Sequence, residues 1–170
     1  MAFKKLGSVT MSDEVIPPTV EDLKAVGINI PTSGKVVLDI STNWCGPCKQ
    51  VGPILHKMAN DGLITLVQTD LDENEELGKN HNIHAIPTLI FFKDGKRIGS
   101  ITKGDPQEIP LEALLDKVLG ESYQYQVLQD NTPLTDLSQL KVLLTRTIVK
   151  DGVMVGFCGE DLLRQIIEEM

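Results

Sequence analysis

Two cysteines separated by a glycine and a proline, Cys45-Gly46-Pro47-Cys48, carry the plainest chemistry in this 170-residue chain. Thiols that close can clip a metal, staple a loop or cycle as a redox pair. A structural zinc site needs four ligands, usually from a second such pair or from two histidines at fixed spacing. The chain offers only Cys158, His56, His81 and His84 besides, and just two residues separate His81 from His84. A staple is disfavoured as well, because so short a loop constrains little chain entropy. The redox reading accounts for the surroundings. The apolar run KVVLDIS (35–41) precedes the pair and reads as a buried strand. Val51, Leu55 and Met58 follow it at helical spacing. The pair therefore stands where a strand gives way to a helix start, whose unsatisfied amides favour a thiolate at Cys45. Cys48, one turn in, is expected to be the more buried thiol and to attack a mixed disulfide from behind. Gly46 lets a partner's backbone approach, and Pro47 in the first turn forfeits no intrahelical bond. Both thiols are needed, one to attack and one to release the product.

The elements that must position this pair follow from periodicity. Pro53 lies within the helix and is expected to kink it. Asn60-Asp61-Gly62 stops the helix, and LITLVQTDL (63–71) reads as a second strand, completing a parallel βαβ unit with a right-handed crossover. ENEELGKNH follows as a short acidic helix. TLIFFKDGKRIGSITKG (88–104) has the signature of a hairpin turning at Lys93-Asp94-Gly95-Lys96. PLEALLDKVLG (110–120) is marked as a helix by Pro110 at its start, leucines on one face and Gly120 at its end. From Val15 the predicted order is strand, helix (TVEDLKAVG), strand, helix, strand, helix, hairpin, helix. That order implies an α/β domain, with a mixed central sheet covered by helices on both faces.

These readings divide the chain into an N-terminal tail (1–14), a principal domain (15–120) and a small α+β C-terminal extension (121–170). Residues 121–139 are polar, with turns marked at Asn131, Pro133 and Asp136. SQLKVLLTRTIVKDGVMVGFCGEDLLRQIIEEM then reads as a helix, a hairpin turning at Lys150-Asp151-Gly152, and a final helix with Leu162, Leu163, Ile166 and Ile167 on one face. The hairpin-then-helix plan of FFKDGKRIG…LEALLDKVL recurs in TIVKDGVMVGF…EDLLRQII, down to the Lys-Asp-Gly turn. The extension is therefore expected to be folded.

Composition bounds the function classes. A net charge of −8, with −4 on residues 1–120 and −4 on residues 121–170, repels phosphate backbones and anionic lipid. Nucleic-acid and membrane partners are therefore not expected. No apolar run approaches the roughly 20 residues that span a bilayer. The opening MAFKKLGSVTMSDEV lacks the apolar stretch of a secretory signal. Three cysteines do not make a disulfide scaffold, and the cytoplasm is the expected compartment.

WCGPC at 44–48 resembles the active-site signature of the thioredoxin family, and the resemblance runs over residues 15–120. Asp39, six residues before Cys45, matches that family's buried aspartate. Pro53 matches its helix proline, and Pro87 in AIPT (85–88) its cis proline facing the dithiol. KDGK matches its hairpin turn, and Gly104 a glycine of its substrate groove. The resemblance implies a thioredoxin fold and a protein-disulfide reductase working through Cys45 and Cys48. It also implies no bound cofactor, with electrons from an NADPH-dependent thioredoxin reductase and disulfide-containing proteins as substrates. A cis Pro87 would turn the backbone of Ile86 toward an incoming peptide. Asp39, its pKa raised by desolvation, would take the proton of Cys48. Gln68 stands where many relatives have a lysine, so a hydrogen bond replaces a charge beside Asp39. Trp44 either shields the dithiol or is a half-buried core indole. His84 is a tuning or a solvated residue, and Cys158 a core or a regulatory thiol. The alternative function is an interaction module, whose extension docks a dedicated partner or forms an oligomer.

Overall fold

Thr19 opens the first helix with a reciprocal cap. Its hydroxyl accepts from the Asp22 amide at 3.1 Å, and the Asp22 carboxylate accepts from the Thr19 amide at 2.8 Å. The computed structural model describes residues 14–121 and 123–170, except for the side chains of 104–106. In chain order the elements are α1 (Val20–Ala25), β1 (Lys35–Ser41), α2 (Gly46–Asn60), β2 (Thr65–Asp70), α3 (Glu75–His81), β3 (Thr88–Lys93) and β4 (Lys96–Arg97). After these come β5 (Ile101–Pro110), α4 (Leu111–Leu119), β6 (Leu128–Gln129), β7 (Thr132–Pro133), β8 (Lys141–Val149), β9 (Val153–Val155) and α5 (Glu160–Glu169). No helix among the described residues is long and apolar enough to cross a membrane.

The central sheet is mixed, as expected. β1 lies between β2, to which it runs parallel, and β3, to which it runs antiparallel. Alternation of side chains sorts the apolar residues into two cores. Val37, Leu89, Phe91 and Met154 face α2 and α5, packing with Val51, Leu55, Met58, Leu163, Ile166 and Ile167. Val36, Leu38, Ile40, Ile90, Phe92 and Val153 face the other way and pack with Leu23 of α1 and Leu77 of α3. This is the layered α/β arrangement that the sequence predicts, with helices on both faces.

The domain division differs from the expected one. The chain forms two compact units: one comprises the residues up to Ile101 together with Ile148–Met170, the other Thr102–Thr147. Residues 121–170 are thus not an appended extension, and the principal unit is not closed at residue 120. The cause lies at the far edge of β3. Phe92 and Lys93 pair with Arg97 and Lys96 of β4, while Thr88, Leu89 and Ile90 pair with Val155, Met154 and Val153 of β9. Between them the Ile98 amide donates to Phe91 (3.0 Å), the Phe91 amide to Gly152 (2.9 Å), and the Gly152 amide to Gly99 (3.1 Å). The edge strand is one strand in two pieces, with about fifty residues of sequence interposed at Gly99 and Gly152.

Both Lys-Asp-Gly turns form. Asp94-Gly95 and Asp151-Gly152 have positive φ at both residues, the geometry of a tight hairpin turn. Two further expectations fail. Residues 14–18 run as irregular backbone where a strand was predicted, since Pro17 and Pro18 supply no ladder amides. The helix expected at the start of SQLKVLL is instead β8, a β-branched run that pairs with β5 in the second unit. That unit also contains α4, none of whose residues is buried, and the β6–β7 hairpin.

Candidate active site

The cysteine pair sits where β1 ends and α2 begins. Cys45 is the N-cap of α2: its sulfur accepts the Cys48 amide at 3.2 Å, and Gly46 and Pro47 fill the first two helical positions. The two sulfurs are joined in a disulfide, with the Cα atoms 5.2 Å apart. Cys48 was expected to be the more buried thiol, yet Cys45 is 4% and Cys48 7% exposed. With the bond formed, the Cys45 sulfur is folded inward onto the Cys48 amide. A sulfur at this position meets an open helix amide and the positive end of the macrodipole, which favour its anionic form once the bond is reduced.

Around the pair the loops are fastened by short polar contacts. Trp44 is 69% exposed, and its indole N–H donates to Asp72 at 2.8 Å. The ring is therefore neither a core indole nor half-buried; it stands at the surface beside the dithiol. Asn43 donates to Asp70 at 3.1 Å, and Asp70 accepts from the Asp72 amide at 2.9 Å, so the 42–44 loop is tied to the acidic turn after β2. The Ile86–Pro87 peptide bond is cis. Ile86 is half-buried and Pro87 buried, and the Thr88 hydroxyl donates to the Ala85 carbonyl at 2.7 Å, holding this loop at the start of β3.

Asp39 is buried in β1, on the same face as Val37 and so beneath α2. Its register partner on β2 is Gln68, whose side-chain amide donates to Asp39 Oδ2 at 3.0 Å. Oδ1 has no hydrogen-bond partner among the described residues. Burial pushes the Asp39 pKa above the ordinary carboxylate value, against the opposing pull of the Gln68 hydrogen bond and of the nearby His56. A lone neutral donor leaves this carboxyl readier to hold a proton than a cation would.

Gly104 lies within β5, among residues 104–106 whose side-chain placement is not described. The glycine whose amide meets the cis-proline loop is Gly156, donating to the Pro87 carbonyl at 2.7 Å. Sequence reasoning missed it, having used the second Lys-Asp-Gly turn only to infer that residues 121–170 are folded. His84 is exposed. Cys158 is half-buried against the α2–α5 core, with its thiol directed to the Gly159 carbonyl at 3.8 Å. Among the described residues no cluster of three or more His, Cys, Asp or Glu could hold a metal ion.

Comparison with known proteins gives one answer. A sequence profile of the family described as Thioredoxin matches residues 25–117, more than half of the chain. A thioredoxin of Mycoplasmoides gallisepticum is 45% identical over 85 residues, covering 47% of this chain and 85% of its own length. One from Staphylococcus epidermidis is 38% identical over 89 residues, covering 51% and 85%. The X-ray structure of Fasciola hepatica thioredoxin is similar at 32% identity with a TM-score of 0.38, covering 47% of this chain and 77% of its own. The profile follows the chain into α4, the first strand-and-helix pattern after the hairpin. The core instead receives the second, β9 and α5. The similarity does not favour an interaction module, and nothing supports oligomerisation through the residues past 120. With a dithiol at a helix start, it makes the chain a thiol–disulfide oxidoreductase that reduces protein disulfides. The chain belongs to the thioredoxin family.

Proposed function

We propose that Cys45 is the attacking thiol, Cys48 the resolving thiol and Asp39 the proton acceptor of this reductase. The Cys45 thiolate attacks one sulfur of a substrate disulfide; a Cys45–substrate bond forms and the other substrate sulfur leaves as thiolate. Cys48 then gives its proton to Asp39 and attacks the Cys45 sulfur. The second substrate sulfur is released, and the Cys45–Cys48 bond carries two electrons fewer than the dithiol did. The observation that supports this order most is the cap: the Cys48 amide points at the Cys45 sulfur, so the helix start stabilises negative charge at Cys45 first. Trp44, Gly46 and Pro47 shape the approach to that sulfur. Ile86 and Pro87 present backbone to the substrate chain, with Gly156 in the part that sequence assigned to Gly104. Regeneration needs a two-electron reductant, which the family likeness makes an NADPH-dependent thioredoxin reductase, with no cofactor held by this chain. Sparse cysteines and the Gly-Pro pair suit work in the reducing cytoplasm.

Single substitutions test the assignment. Cys45→Ser should abolish insulin reduction and trapping of substrate. Cys48→Ser should accumulate a covalent complex through Cys45, visible as added mass that dithiothreitol removes. Insulin reduction retained in Cys45→Ser would refute the assigned nucleophile.

A further inference from the structure

Beyond the dithiol groove, the principal unit holds a cavity of about 980 Å³ to which no role has been given. One wall is β9, through Val153 and Val155; another is Ala85, immediately before Ile86 and Pro87; the cover is Val15, Ile16 and Pro17. That cover is a strap fastened at several points. The Ile16 amide donates to the His81 carbonyl at 2.8 Å, and His81 Nδ1 donates back to the Ile16 carbonyl at 2.9 Å. Arg97 donates to the Pro18 carbonyl at 2.7 Å and to that of Pro17 at 3.2 Å, and Lys150 pairs with Glu14. Two consecutive prolines stiffen the strap further, so the cavity is formed before anything enters it.

Its place in the sheet points to its occupant. The dithiol lies at the end of β1, Pro87 at the neighbouring start of β3, and Val155 at the adjoining end of β9, all at one end of the sheet. A chain lying across that end from Cys45 crosses two strand spacings, about 10 Å, or roughly three extended residues. It then meets Val155, which is 51% exposed, and the cavity mouth. The rim carries Glu14 and Asp151 against Lys150 and His84, and Lys150 is already paired, so the rim offers no net attraction to an anion. Of the lining that remains, Asn82 is polar, and Val15, Ile16, Pro17, Ala85, Val153 and Val155 are apolar.

We propose that this cavity is a specificity pocket for the polypeptide substrate, taking a bulky apolar side chain about three residues from the cysteine that Cys45 attacks. The proposal rests on the dithiol reading given above. The test uses the full chain and short cyclic peptides, closed by one disulfide. They are identical except for leucine or serine three residues from the reacting cysteine, on one side or the other. The leucine peptide should have kcat/KM about tenfold higher on one of the two sides, the scale expected for burying one such side chain. The difference should lie in KM. Ile16→Glu, at a strap residue already 52% exposed, should bring the ratio to about one. A wild-type ratio below about twofold on both sides, or a ratio unchanged in Ile16→Glu, would overturn the proposal. Failure of the wild type on both peptides and also on oxidised glutathione would bring down the dithiol reading, and the pocket with it.

Discussion

At Asp39 the chemistry of one residue sets a measurable property of the whole protein. Its carboxyl is buried with one neutral donor, Gln68, and its raised pKa comes first from desolvation. A carboxyl so placed holds its proton more tightly in the folded state than in the unfolded chain. Stability therefore falls as pH rises from the ordinary carboxylate value through the folded one. Asn at this position bears no charge and escapes that loss. Urea unfolding of the oxidised protein should show Asp39→Asn gaining steadily on the wild type as pH rises from about 4 to about 8. A difference that stays constant over that range would contradict the account. The same variant should slow the resolving step if Asp39 takes the Cys48 proton. Asp39 and both cysteines were legible in the sequence, since an acid inside an apolar strand and two close thiols are conspicuous. The role of Gly156 was not, because a glycine matters there through its amide, and an amide leaves no mark on residue type.

At the scale of elements the decisive feature is the split edge strand. The pattern after β3 offers two segments of hairpin-then-helix form, and periodicity alone gives no reason to prefer one. Packing does: α5 buries Leu163, Ile166 and Ile167 against α2, whereas no residue of α4 is buried. The sequence reading closed the principal domain at residue 120, on the nearer segment, and here that segment belongs to the interposed unit. The join depends on Gly152, at φ +80°, where an added Cβ would meet Arg97 Cγ at 2.2 Å and the Ile98 carbonyl oxygen at 2.8 Å. The arginine end can move, but the carbonyl belongs to the edge strand itself. Gly152→Ala should therefore cost about 2–4 kcal/mol of folding stability from strained backbone and overpacking together. Denaturant unfolding checks this, and a loss below about 0.5 kcal/mol would mean the join is looser than described. By contrast β1, α2 and β3 were readable at once, their apolar runs and helical spacing having one solution each.

At the scale of the molecule, two deletions should behave oppositely. Replacing residues 102–147 by a short Gly/Ser linker leaves β9, α5 and both cores in place, so the chain should fold and reduce insulin at a rate near that of the full protein. Ending the chain at residue 120 removes Val149, Met154, Leu163, Ile166 and Ile167 from one core and should leave it unfolded by circular dichroism. A folded, active chain ending at 120 would mean that β5 and α4 can close the sheet themselves. Periodicity identified a mixed α/β domain and the net charge an acidic surface, but neither carried a sign that the domain is interrupted, since the interposed residues include a helix pattern (110–120) as regular as those around it. What the fold positions in either case is one dithiol. The most direct test of its function is equilibration of the purified protein with defined thiol–disulfide buffers, followed by alkylation and mass mapping of each cysteine. Cys45 and Cys48 should exchange together with a midpoint of about −270 mV, a value carried over from the family and not from the geometry. A midpoint near −180 mV, or a Cys45 that fails to exchange at all, would contradict a reducing dithiol.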